Sequence, residues 1–137
     1  MNIAIIIAAG SGHRMGQDIP KQFINVLDKP ILFYTLEGFQ KHSMIDAIEV
    51  VCLDGWESMV WAYAKQFGID KLKWIVKGGT TGQESIRNGV FNLEGKVLED
   101  DIIIVHDGIR PLIEPFVLSS KDPPYPQQKF VHCMALR

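Results

Sequence analysis

"IAIIIAAGSGHRMG", residues 3–16, decides the fold: an apolar run of strand length, Ile3 to Ala8, opens directly into a loop holding Gly10, Gly12, Gly16 and Arg14. A short continuous apolar run bounded by glycines reads as a strand buried on both faces. "PKQF" follows at residues 20–23, adding Lys21 to the basic residue already in the loop. The chain thus concentrates glycine and positive charge at the end of its first expected strand.

Outward from that stretch the pattern alternates. "PILFYTLEGFQKH" (30–42) carries Leu32, Leu36 and Phe39 at helical spacing behind Pro30, a residue suited to a first helical turn. "IDAIEVVCL" (45–53) reads as a second strand over Ala47 to Leu53, and "WESMVWAYAKQFG" (56–68) as a helix stopped by Gly68. "KLKWIVKGG" (71–79) is expected to be a third, shorter strand, and "GQESIRNGVFNL" (82–93) a helix with Ile86, Val90 and Leu93 on one side. "DDIIIVHDG" (100–108) reads as a fourth strand. Strands apolar on both faces and separated by helices predict a mainly parallel sheet covered by helices, an α/β, Rossmann-like three-layer α/β/α fold.

Ligands of such sheets lie beyond the carboxyl ends of the strands. The chemistry is therefore expected after Ala8, Leu53, Val76 and Val105, and three of these places carry unusual loops: "AAGSGHRMG", "KGGTTGQES" and "HDGIRP". The first is not a dinucleotide fingerprint, because Met15 stands where its third glycine belongs. It is not a phosphate-binding P-loop either, since Gln17 and Asp18 follow Gly16 in place of Lys and Ser or Thr. Two cations beside a glycine turn suit a polyphosphate cradled by backbone N–H groups; the same residues also fit a tight turn with two solvated cations.

Composition bounds the rest. The 137 residues, 47% hydrophobic and 22% charged, suffice for one domain with a core. A formal net charge of -2 and no block of Lys and Arg argue against nucleic-acid and membrane-surface partners. No stretch approaches the ~18 apolar residues of a membrane span. Only two cysteines, Cys52 and Cys133, with no signal-like N-terminus, make a reduced cytoplasmic setting the expectation. Trp56, Trp61 and Tyr63, in one helical stretch, are expected to pack in the core. His106 is expected to pack or hydrogen-bond at its strand end, not to act as a base.

"AAGSGHRMG…PKQF…KPIL", then "GG…ESIRNG", then "HDGIRP" resembles the cytidylyltransferase family of 2-C-methyl-D-erythritol 4-phosphate cytidylyltransferase (IspD) and ribitol-5-phosphate cytidylyltransferase (TarI), over residues 1–120. The resemblance implies transfer of CMP from CTP to an alditol phosphate with release of pyrophosphate, in isoprenoid or in teichoic acid or capsule biosynthesis. It implies that Arg14 and Lys21 are the catalytic pair on the triphosphate. Ala8, Ala9, Gly10, Ser11 and Gly12 would be the turn that approaches the nucleotide. Gly78, Gly79, Thr80 and Ser85 would hold the cytosine; read alone, Ser85 is a polar residue in the first turn of a helix. Asp107 is implied near the acceptor and a Mg²⁺ or other divalent ion, and Arg110 on the acceptor's phosphate. On residue chemistry alone Asp107 and Arg110 also suit a surface pair on a turn.

Three departures accompany the match. Many relatives have arginine where this chain has Gly82, and "HDG" stands for the commoner "HDA". After Ser120 the resemblance stops: "KDPPYPQQKFVHCMALR" (121–137), with Pro123, Pro124 and Pro126, is expected to be an irregular tail. The family's later half, with further strands, acceptor-binding residues and the arm of its homodimer, has no counterpart. The sequence is therefore expected to be C-terminally truncated, or a non-catalytic remnant retaining at most CTP binding.

Overall fold

The computed structural model describes residues 1–10, 19–110 and 130–132. Its main sheet is built from β1 (Asn2–Ala8), β4 (Ala47–Cys52), β5 (Leu72–Lys77), β6 (Ile102–Asp107) and β7 (Phe130–His132). The spatial order is β5-β4-β1-β6-β7, with every neighbouring pair parallel. β1 is central, Ile3 lying opposite Ala47 on one side and Ile103 on the other. The helices are α1 (Ile31–Lys41), α2 (Glu57–Phe67) and α3 (Gly82–Leu93). This is the α/β sheet that the alternating periods predict.

Side-chain alternation along the strands separates two cores. Ala4, Ile6, Ile48 and Val50 face α1 and α2, where Leu32, Phe33, Leu36 and Phe39 are fully buried. Each such side chain contributes roughly 1.5–3 kcal/mol through burial. Ile3, Ile5, Val51 and Val105 face the other way, towards Leu93, Ile86 and Val90 of α3. Helices on both faces leave the strand ends as the place where loops converge.

Several details differ from the sequence reading. Pro30 is the N-cap of α1, not a residue of its first turn, because it closes a small hairpin of β2 (Asn25–Val26) and β3 (Lys29–Pro30). The two linking residues, Leu27 and Asp28, have φ of 53° and 70°, the double left-handed pair of a type I′ turn. β5 has the same six residues as β4 and β6, not fewer. The stretch 121–137, expected to be irregular, contributes β7, with Ile103 opposite Phe130. Three residues are too short to show a period. The rest of that stretch lies outside the described residues. Trp61 is 45% exposed rather than packed, whereas Trp56 stacks on Phe23 at 4.5 Å and Tyr63 on Phe67 at 5.7 Å. Among the described residues no helix is long and apolar enough to cross a membrane.

Candidate nucleotide site

A cavity of about 700 Å³ opens at the carboxyl ends of β1 and β6 and reaches the loop before α3. Ala8, Ala9, Gly10, Lys21, Gly79, Thr80, Ser85 and Asp107, all singled out from the sequence, line it together. Gln22, Leu53, Thr81 and Gly82 complete much of its wall. Ser11, Gly12 and Arg14 lie outside the described residues. Gly78 is not in the wall but stands behind it: a Cβ there would lie 2.2 Å from that of Ala9, so only glycine lets the two loops touch.

The 78–80 loop is braced by the end of β4 and by its own neighbours. Gly78 N–H donates to the Cys52 carbonyl at 2.8 Å, Gly79 N–H to Ser85 Oγ at 3.0 Å and Thr80 N–H to Glu84 Oε2 at 2.7 Å. Thr81 caps α3, its hydroxyl accepting from Glu84 N–H at 3.1 Å. The bonds from the Thr80 hydroxyl and N–H hold the Glu84 carboxyl below its ordinary range. With these N–H groups engaged, the loop presents carbonyl oxygens: those of Gly78, Gly79 and Thr80 meet no protein donor among the described residues. Ser85 is 2% exposed, so its hydroxyl shapes the loop as well as facing the cavity.

Lys21 starts a 3-10 turn, Lys21–Phe23, and its side chain is exposed with no carboxylate partner among the described residues. A cation so placed is available to a ligand. Gln22, buried beside it, donates to the carbonyls of Ala8 and Gly10 at 2.8 and 2.9 Å. Nothing in residue type or spacing marked Gln22, although it stands inside the quoted "PKQF".

Asp107 ends β6. Its Oδ1 accepts from Ile109 N–H at 3.1 Å and its Oδ2 lies 3.8 Å from Arg110 Nε. Arg110 is thus the partner on the turn that the bare residues suggested, 45% exposed and not part of the cavity wall. His106 is buried, and its Nε2–H donates to the Arg110 carbonyl at 2.9 Å while the ring meets the Phe39 edge. Burial holds its pKa below the ordinary histidine value, so it is neutral and structural. Thr35 of α1 donates to the Gly108 carbonyl at 2.8 Å, fixing the same turn from beneath. An added methyl at Gly108 would sit 2.9 Å from the Ile7 carbonyl, which accounts for glycine in this chain's "HDG".

No group of three carboxylate, histidine or cysteine side chains able to hold a metal exists among the described residues. Among the described residues Asp107 alone brings a carboxylate to the cavity wall. That donor set suits a magnesium ion carried mainly by phosphate oxygens and water, the usual manner for this ion, and does not suit a resident protein-caged metal.

The family model of 2-C-methyl-D-erythritol 4-phosphate cytidylyltransferase (IspD) matches residues 2–121. The chain belongs to this family. Ribitol-5-phosphate cytidylyltransferase of Lacticaseibacillus paracasei is 52% identical over 119 residues, covering 87% of this chain and 51% of the relative. 2-C-methyl-D-erythritol 4-phosphate cytidylyltransferase of Clostridium novyi is 45% identical over 114 residues, 82% of this chain and 48% of the relative. A crystal structure of 4-diphosphocytidyl-2C-methyl-D-erythritol synthase superposes with a TM-score of 0.70 at 30% identity, covering 88% of this chain and 52% of that one. The chain spans about half the length of the curated IspD-family relatives it matches. The fold and the family expected from the sequence are both present.

Proposed function

We propose that this chain is the nucleotide-binding part of a CTP-dependent cytidylyltransferase that moves CMP onto an alditol phosphate. The observation carrying this reading is one cavity lined together by Lys21, which has no carboxylate partner among the described residues, the glycine turn after β1, Gly79 and Thr80 with their free carbonyls, and the Asp107 carboxylate. Carbonyl oxygens without donors suit the exocyclic amine of cytosine and reject the oxygen that uracil carries there. Ser85 adds a hydroxyl to the same edge.

In the reaction, an oxygen of the acceptor's phosphate attacks the α-phosphorus of CTP, and the bond from that phosphorus to the bridging oxygen of pyrophosphate breaks. The phosphate nucleophile is already ionised near neutral pH, so no general base is required and His106 has no proton to take. Lys21 and Arg14 supply positive charge where negative charge develops; unit charges ~4 Å apart attract by about 4 kcal/mol at an effective dielectric of ~20. Ala8, Ala9, Gly10, Ser11 and Gly12 bring the backbone close to the phosphates. Arg110 offers a guanidinium to the acceptor's phosphate, for which it must leave Asp107. A magnesium ion bound with the triphosphate and Asp107 would neutralise phosphate charge.

Ribitol 5-phosphate is the favoured acceptor, because the relative at 52% identity bears that substrate in its name; 2-C-methyl-D-erythritol 4-phosphate is the alternative. A second reading, a polypeptide that binds CTP without turnover, keeps the same cavity and differs only in the transfer step. Pyrophosphate release from CTP with each acceptor, alongside a CTP titration, separates these. Turnover with ribitol 5-phosphate supports the first reading, binding without turnover the second, and no binding overturns both.

A further inference from the structure

The backbone that carries Lys21 is pinned from both sides. Gln22 is 3% exposed, and both hydrogens of its carboxamide are spent on carbonyls of the first loop, Ala8 at 2.8 Å and Gly10 at 2.9 Å. Both partners are acceptors, so only the nitrogen end of the amide fits there. The Ala8 carbonyl also receives Leu53 N–H at 3.3 Å, tying the same point to the end of β4. On the other side of Lys21's turn, Phe23 is 4% exposed and stacks on Trp56 at an interplanar angle of 8°. Phe23 N–H and Ile24 N–H close the turn onto the carbonyls of Pro20 and Lys21 at 3.0 and 3.1 Å.

We infer that Gln22 is a positioning residue which sets the place of the Lys21 ammonium relative to the glycine loop, and so couples the cation to the backbone that receives the triphosphate. The inference rests on reading the cavity as a triphosphate site. Lys21 is exposed on a four-carbon stem, and without a fixed base its charge would average over many positions. Gln22 removes that freedom at the Cα, while giving the Ala8 carbonyl a second donor beside Leu53 N–H and the Gly10 carbonyl a donor of its own. Neither glutamate nor leucine can do both: a carboxylate has no hydrogen to give, and an alkyl chain offers a donor to neither oxygen.

The test is a double-mutant cycle read by calorimetric titration of CTP and, separately, inorganic tripolyphosphate, with magnesium present. The proteins are the full chain, Lys21→Ala, Gln22→Met and the double variant, with amide hydrogen exchange measured on each. Gln22→Met should weaken both ligands by about tenfold in the otherwise unchanged chain, and have little further effect once Lys21 is alanine. Equal weakening in both backgrounds, or none in the first, overturns the inference. Gln22→Asn, which keeps the amide but is a methylene too short for both carbonyls, replaces Gln22→Met in the cycle if that variant does not fold. Should the unchanged chain bind neither ligand, the triphosphate reading falls. Gln22 is then judged by exchange alone: faster exchange at Phe23, Ile24 and Leu53 in the Gln22 variant supports its bracing role, and unchanged exchange overturns it.

Discussion

The two glycine-bearing loops that face each other across the cavity are braced in opposite ways. Apart from the bond of Gly78 N–H to the Cys52 carbonyl, the loop after β5 is held by residues of its own segment: Ser85 and Glu84 reach back six and four positions to Gly79 and Thr80, and Thr81 accepts from Glu84 N–H three positions on. The loop after β1 is held from outside, its Ala8 and Gly10 carbonyls bound by Gln22, fourteen and twelve residues on. Self-bracing makes a rigid surface, suited to reading the edge of a base. Bracing by the element that bears Lys21 links loop position to cation position, as charge stabilisation requires. The two systems meet at one point, Gly78 against Ala9.

That meeting point is where the comparison breaks most easily. Gly78→Ala places two methyl groups 2.2 Å apart on opposing backbones, and is expected to cost about 3 kcal/mol and to abolish nucleotide binding. A urea melt with and without the compensating Ala9→Gly checks it, the double variant recovering most of the stability.

Glu49 tests the support beneath the second loop. It lies in β4 under α3, fully buried, its Oε2 accepting from Asn92 at 2.8 Å and its Oε1 without a partner among the described residues. An added methyl at Gly89 would lie 2.7 Å from that oxygen, so α3 rests directly on the carboxyl. Burial pushes its pKa up to about 7 from 4.5, against a smaller opposing effect of the Asn92 bond. The folded chain then holds a proton that the unfolded chain releases, so this contribution to stability is complete below pH 4.5 and declines as pH rises to about 7. Glu49→Gln should remove that decline, with a gain of about 2 kcal/mol at pH 8 and little change at pH 4. Melts at the two pH values measure it.

Ser85→Ala leaves the Gly79 N–H without its acceptor, at a cost of about 1 kcal/mol. Its CTP affinity should fall by more than its tripolyphosphate affinity, since only the base edge is disturbed. The smallest effect is expected from Glu84→Ala, an exposed brace: faster amide exchange at Thr80 and no measurable shift in melting temperature.

How much of this was legible depended on whether a feature left a pattern. Four strands and three helices were, because Ile3–Ala8 and its counterparts are continuous apolar runs and Leu32, Leu36 and Phe39 repeat at helical spacing. Eight of the residues named from the sequence line one cavity, because glycine, charge and hydroxyl clustered at three strand ends. Gln22 was not legible: its partners are backbone carbonyls, which every residue possesses, so nothing in the text of the chain points to them. Glu49 was hidden inside an apolar strand, where a single carboxylate reads as one more alternation. The hairpin at residues 25–30 escaped because Leu27 and Asp28 replace the Asn-Gly or Asp-Gly that usually marks a type I′ turn. Trp61 was misplaced because a helical aromatic stripe has no mark showing which of its members faces solvent.

The central claim is that the Gly79 and Thr80 carbonyls select a base with an amine at the cavity edge while Lys21 holds the phosphates. Its most direct test is a parallel titration of the chain with CTP and UTP in magnesium. The account predicts CTP binding at least about tenfold tighter than UTP, the worth of one well-placed hydrogen bond against one repulsive oxygen. Equal affinity for the two nucleotides, or none for either in a folded sample, would contradict it.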